Sequence, residues 1–207
     1  MNKGFILAAI LEIQRESTFD FEVLNNLFSA GLDFVYLRTN QVKDINWERI
    51  IAKLNPAFSD RIIISASASE FIQESELVGH WKEGERKELL PEKLLPNKVY
   101  STSVHHLPDI LDLPACFKYV FYSPVFPSIS KPSYNPKISL ITLQQDINGL
   151  KEKKAGLPNI IALGGIQTEN VKKVKDIGFN GAALMGALWQ STDPVQAFTN
   201  IKKALIS

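Results

Sequence analysis

Cysteine is almost missing: Cys116 is the single copy in 207 residues. An internal disulfide framework is therefore excluded, a reducing cytoplasmic setting is compatible, and Cys116 reads as a small core residue. Neither sign of charge is in excess, since 23 Lys and Arg face 22 Asp and Glu for a formal net charge of +1. That balance argues against nucleic acid and against a strongly acidic partner, and the run Lys151-Glu152-Lys153-Lys154 reads as a solvated helix end. No apolar run approaches the roughly 20 residues of a membrane span. Phe5 to Leu11 looks like the apolar part of a secretion signal, but Glu12 follows at once with no small-residue cleavage pattern, so a first strand is expected there. Histidine is scarce as well, with 3 in all. His105 and His106 are adjacent and cannot face one partner on a strand or a helix, which leaves an ordinary polar role or a proton carrier rather than a metal pair. Linkers, low-complexity segments and repeats are also missing.

What the chain does have is a regular alternation of short apolar runs with helical stretches. Residues 160–166 and 181–188 are uninterrupted apolar runs, as expected of two parallel strands covered on both faces. Between them Thr168 precedes a polar helix with Val171, Val174 and Ile177 on one stripe and Gly178 at its end. The pattern recurs upstream, with strands expected at 5–10, 33–38, 61–65, 77–81, 99–103 and 119–122. A first helix carries Val23, Leu24, Leu27 and Phe28, capped by Asp20 or Thr18 and closed by Gly31. A second starts near Asn46 with Trp47, Ile50, Ile51 and Leu54 inward, a brief one holds Phe71 and Ile72 behind Ser67 or Ser69, and another covers 140–150. Asp193-Pro194 open the last helix, whose Val195, Phe198, Ile201, Ala204 and Leu205 face the core. Lys82 to Glu88 reads as a solvated loop of mixed charge. Eight strand candidates alternating with helices predict an α/β protein, a single (β/α)8 TIM barrel over residues 1–207. A doubly wound sheet would usually show a glycine-rich turn after its first strand.

The candidate site residues fall at the carboxyl ends of those strands. Gly164-Gly165 after the seventh and Gly186 after the eighth would let an anion approach backbone amides, and the loops after the last two barrel strands commonly form a phosphate site. The plain alternative is a pair of tight turns with no ligand. Arg38 ends the second strand and can offer a planar fork to a phosphate or carboxylate. The fifth strand ends in the hydroxyls of residues 101–103. Residues 123–136 hold 4 prolines and exclude regular structure, so this segment is a candidate lid. Within it Ser128, Ser130 and Lys131 would offer hydroxyls and a positive charge to the same phosphate.

These residues resemble the thiamine phosphate synthase and thiazole tautomerase family along almost the whole chain. The points of likeness are Tyr36-Leu37-Arg38, Ser103-Val104-His105, Ser123-Pro124-Val125-Phe126-Pro127-Ser128-Ile129-Ser130-Lys131, Ala162-Leu163-Gly164-Gly165-Ile166 and Gly181 to Leu188. The resemblance implies an enzyme that joins a hydroxymethylpyrimidine diphosphate to a thiazole phosphate, with magnesium helping pyrophosphate to leave. It implies that Gly165, Met185 and Gly186 hold the thiazole phosphate beside Ser128 and Ser130, and that Arg38, Ser103 and Lys131 face the pyrophosphate. It implies small phosphate and diphosphate substrates and leaves a homodimer open.

The departures fall in the other half of the site. Tyr36 stands where the synthases have glutamine, Asn40 where they have lysine, and Ser65-Ala66 where they have the Asn-Asp pair that contacts pyrimidine and magnesium. Glu85 aligns with the second magnesium aspartate, and losing one carboxylate of two should weaken a hard cation's site. The tautomerase histidine corresponds to Pro124, which cannot transfer a proton. Three outcomes are therefore expected: a synthase with a divergent pyrimidine pocket, a barrel that binds thiazole phosphate without coupling it, or a tautomerase with His105 as its proton carrier.

Overall fold

Strand β1, Ile6–Glu12, shows why the chain closes on itself. Its side chains alternate between two faces, yet both Ile6, Ala8, Ile10 and Leu7, Ala9, Leu11 are at most 6 % exposed. A strand of this kind must be covered on both sides. The first set packs inside a barrel with Phe34, Tyr36, Ile63, Phe121, Ile161 and Ala183. The second faces the surrounding helices with Leu24, Leu27, Leu143, Val174 and Phe198.

The computed structural model describes residues 4–14, 19–40, 45–66, 72, 75–88, 94–95, 97–127 and 135–206. After β1 come β2 (Phe34–Arg38), β3 (Ile62–Ser65), β4 (Val78–Trp81), β5 (Tyr100–Val104), β6 (Phe117–Tyr122), β7 (Asn159–Leu163) and β8 (Gly181–Leu184). All neighbours pair in parallel, and β8 returns to β1, giving a closed eight-stranded barrel in sequence order. Closure depends on Gly181: a Cβ there would lie 2.5 Å from the carbonyl oxygen of Ile6. The expected (β/α)8 barrel is therefore the fold.

Helix boundaries follow side-chain caps. Asn46 accepts from the Arg49 amide at 2.9 Å ahead of the helix Trp47–Ile51, and Asp193 accepts from the Gln196 amide at 2.9 Å ahead of Pro194–Ala204. Ser139 caps Leu140–Lys153 in the same way. The first helix, Glu22–Ser29, differs from expectation, because Asp20 bonds the Glu22 amide from outside and Phe21 occupies the cap position. Thr18, Ser67, Ser69 and Phe71 lie outside the described residues.

Four further expectations are corrected. The helix after β7 is Val171–Ile177, and its cap position belongs to Asn170 rather than Thr168. Asn170 holds this corner by accepting from the Gln167 amide and donating to the Gly165 carbonyl, each at 2.9 Å. The eighth strand ends at Leu184, four residues early, because Gly186–Trp189 turns into a short helix fixed by Trp189 Nε1 donating to the Ile10 carbonyl at 2.6 Å. Residues 83–87 form a helix instead of a solvated loop: Glu85 reaches back to the Lys82 amide, and Glu83 pairs with Lys87 one turn on at 2.7 Å. Lys151 and Lys154 are not merely solvated, since their ammonium groups donate to the carbonyls of Gly178 and Leu111. No helix of the described residues is long and apolar enough to cross a membrane.

Candidate active site at the carboxyl end of the barrel

One cavity of about 460 Å³ opens where the strands end, bordered by Arg38, His80, Lys82, Ser103, Gly165 and Gly186. Strand register explains the gathering. Successive pairings set Ser65 beside His80, His80 beside Ser101, and Ser103 beside Phe121, so residues distant in sequence reach one level of the barrel. Arg38, Ser103, Gly164, Gly165, Met185 and Gly186, all expected from sequence, meet on this wall. Ser128, Ser130 and Lys131 lie outside the described residues.

The glycine pair has a structural duty beside any ligand. Gly164 and Gly165 have φ of +100° and +63°, and a Cβ on Gly165 would lie 2.2 Å from the carbonyl oxygen of Pro127. That close approach lets the amides of Val125 and Phe126 donate to the carbonyls of Leu163 and Gly164, at 3.0 and 3.1 Å. The loop after β6 is thereby stitched to the loop after β7. Gly165 also borders the cavity, and Gly186, beside it, opens a helix whose first amides have no partner within it.

The floor of the cavity holds a group that the sequence reading passed over. His80, on β4, is 1 % exposed, and its ring packs at a tilt of 32° against Tyr36 with centroids 4.3 Å apart. Nδ1 lies 2.9 Å from the Ser101 hydroxyl and Nε2 3.0 Å from the Ser103 hydroxyl. Burial first, then the positive charges of Lys82 and Arg38, push its pKa down to about 3, so the ring is neutral. A neutral ring donates through one nitrogen and accepts through the other. With the proton on Nε2, Ser103 accepts from the ring and its own hydroxyl hydrogen is free to point into the cavity. Burial also raises the Tyr36 phenol, against a smaller opposing effect of Arg38, so it stays protonated. A signal for His80 existed in the segment Leu77 to Trp81, but a lone histidine in a weak strand does not announce its serine partners.

The rim is charged and sorted. Glu83 accepts from His105 and from Lys87, and Lys87 also lies 3.5 Å from Asp109, which pairs with His106 at 2.9 Å. Burial alone would raise the Glu83 pKa, but those hydrogen bonds outweigh it and hold the carboxyl below its ordinary range. Lys82 donates to Asn40 at 3.0 Å.

A resident magnesium ion does not fit these donors. Magnesium takes oxygen ligands in near-octahedral order, usually with one or two carboxylates. Ser65 and Ala66 bring none, Glu85 bonds the Lys82 amide and does not border the cavity, and Glu83 is engaged by Lys87 and the His105 ring. Among the described residues no cluster of three His, Cys, Asp or Glu is placed to hold a metal.

Fold and site together define a (β/α)8 barrel with a ligand cavity at the carboxyl end of its strands, and comparison narrows the class. Residues 87–188 match the family model described as thiamine monophosphate synthase. A thiamine-phosphate synthase of Bacteroides fragilis is 24% identical over 195 residues, covering 88% of this chain and 92% of the relative. One from Streptococcus suis is 30% identical over 106 residues, 51% of this chain and 44% of the relative. The chain thus spans less than half the length of some curated relatives it matches, 44% and 42% in two cases. Among solved structures, thiamine phosphate pyrophosphorylase from Bacteroides thetaiotaomicron superposes with a TM-score of 0.71 at 22% identity, covering 97% of this chain and 96% of that one. The enzyme from Pyrococcus furiosus gives 0.71 at 18%, covering 99% and 97%. A 3-hexulose-6-phosphate synthase gives 0.62 at 12%, over 97% of this chain and 100% of that one, so the barrel by itself does not choose the chemistry. The chain is thus similar to the thiamine-phosphate synthases over residues 87–188, and to one of them, at 24% identity, over most of its length.

Proposed function

We propose that this protein couples a hydroxymethylpyrimidine diphosphate to a thiazole phosphate, releasing pyrophosphate and forming thiamine phosphate. The observation that carries this reading is the meeting of Arg38, Ser103, Gly165 and Gly186 on one cavity, although they come from β2, β5 and the ends of β7 and β8. In the reaction the bond between the pyrimidine methylene carbon and the bridging oxygen breaks, and the electron pair leaves with pyrophosphate. The thiazole nitrogen then supplies the pair for the new carbon–nitrogen bond.

Negative charge builds on the bridging oxygen in the transition state. Donors fixed toward that oxygen lower the barrier more than contacts made equally to the substrate. Arg38 and Ser103 are assigned that role, with Lys131. The amides at Gly165, Met185 and Gly186, with Ser128 and Ser130, are assigned the thiazole phosphate. Tyr36, packed against His80 and bordering the cavity, is assigned the pyrimidine as a neutral aromatic contact.

The test is direct product formation from both substrates, with and without magnesium, read as thiamine phosphate. Product supports the reading. Its failure, with thiazole phosphate still raising the melting temperature, leaves a barrel that binds without coupling. A second reading, thiazole tautomerisation, is favoured by one observation: Glu83 holds His105 at the cavity rim, as a carboxylate orients a proton-transferring imidazole.

A further inference from the structure

The charges around the cavity do not cancel. Among the described residues, neither Arg38 nor Lys82 takes part in an ion pair, while Glu83, the bordering carboxylate, is held by His105 and Lys87. Two half-buried cations therefore border one concave space, and among the described residues no carboxylate forms an ion pair with either. Their field reaches the floor, where both depress the protonation of His80. Uncompensated positive charge on a low-dielectric wall is costly to keep and useful where an anion is to be received.

Lys82 is also held in place. It leaves β4 a quarter of a barrel turn from Arg38 on β2, and its ammonium is anchored 3.0 Å from the Asn40 side chain, two residues beyond Arg38. Asn40 can only accept here through its carbonyl, so it steers the ammonium without neutralising it. The backbone that carries Lys82 is fixed in turn, because Glu85 accepts from the Lys82 amide at 3.2 Å at the start of the helix 83–87. Glu85 thus positions the cation and Glu83 is taken up by Lys87 and His105, and among the described residues the donor set that a hard divalent ion needs is not assembled.

We propose that Lys82 and Arg38 bind the diphosphate group directly, the Lys82 ammonium standing where a divalent cation would otherwise neutralise it. This rests on the reading that the cavity receives a diphosphate ester. A diphosphate lying between the planar fork of Arg38 and the point charge of Lys82 is neutralised in the ground state and as it departs, and its binding does not require metal.

The experiment is calorimetric titration of the full chain with inorganic pyrophosphate in excess EDTA, repeated with millimolar magnesium. Binding is expected in EDTA, and magnesium should leave it unchanged or weaken it, because the metal complex of pyrophosphate carries less charge. Lys82→Met should weaken binding on the order of 10- to 100-fold, as for loss of a hydrogen bond to a charged group, while Lys82→Arg retains most of it. Binding that appears only with magnesium, or a Lys82→Met protein that binds like the parent, overturns the proposal. If Lys82→Met does not fold, the magnesium dependence of the parent protein still decides. Pyrophosphate bound without metal in a protein that makes no thiamine phosphate refutes the proposed reaction and supports this inference. Thiamine phosphate made only with magnesium does the reverse.

Discussion

Acid should unfold this protein through His80. The ring is buried and neutral in the native barrel, with a pKa near about 3, whereas in the unfolded chain it titrates at its ordinary value near 6.5. Between those values the unfolded chain binds a proton that the native state refuses. Stability is therefore complete above about pH 6.5 and falls as the pH drops toward 3, by at most about 1.4 kcal/mol per pH unit. From neutral pH to about pH 5 the loss due to His80 alone is roughly 2 kcal/mol, a sizeable share of the 5–15 kcal/mol typical of a folded domain. The assay is urea unfolding of the parent protein and of His80→Gln at several pH values over this range. The variant starts lower, because Ser101 and Ser103 lose their ring partner. Its stability should then fall less steeply with acid, since glutamine does not titrate. Glu83 and the other carboxylates act alike in both proteins and cancel in the comparison. Parallel curves for the two proteins would refute the argument that His80 is held neutral.

Gly165→Ala forces a β-carbon against the Pro127 carbonyl in a left-handed backbone, and the Phe126 amide bond to Gly164 must yield. A loss of roughly 2–4 kcal/mol is expected, with a fall in melting temperature of about 5–15 °C, and an unchanged melting temperature counts against the stitched loops. Asp193→Ala removes the cap on the last helix and should cost about 1 kcal/mol in urea unfolding without altering ligand binding, because Asp193 is not among the residues that border the cavity. His105→Ala should leave thiamine phosphate formation within a few-fold of the parent. A drop of 100-fold or more would move His105 from the rim into the chemistry and favour the tautomerase reading.

The fold was legible because its signals are local. An apolar run such as Ile160 to Leu163 encodes burial on both faces by itself, and Asp193-Pro194 or Asn46 mark helix starts within a few residues. The end of the eighth strand was not legible, since residues 181–188 stay apolar while the chain changes from strand to helix; the change is enforced by Trp189 bonding to Ile10, 179 residues away. The site divides along the same line. Gly164-Gly165 and Arg38 could be found because a strand followed by a turn glycine or a terminal arginine is a pattern in one stretch. His80 could not, because its burial depends on Ser101 and Ser103 across the neighbouring strand. Nor could the sign of the cavity be read from Lys82 to Glu88, whose charges sum to zero. Folding separates them: Glu83 turns to His105 and Lys87, Glu85 to the backbone, and Lys82 toward Asn40 and the cavity. A segment that is neutral in composition thus presents a cation to the cavity, and that separation supplies the charge that the proposed diphosphate would require.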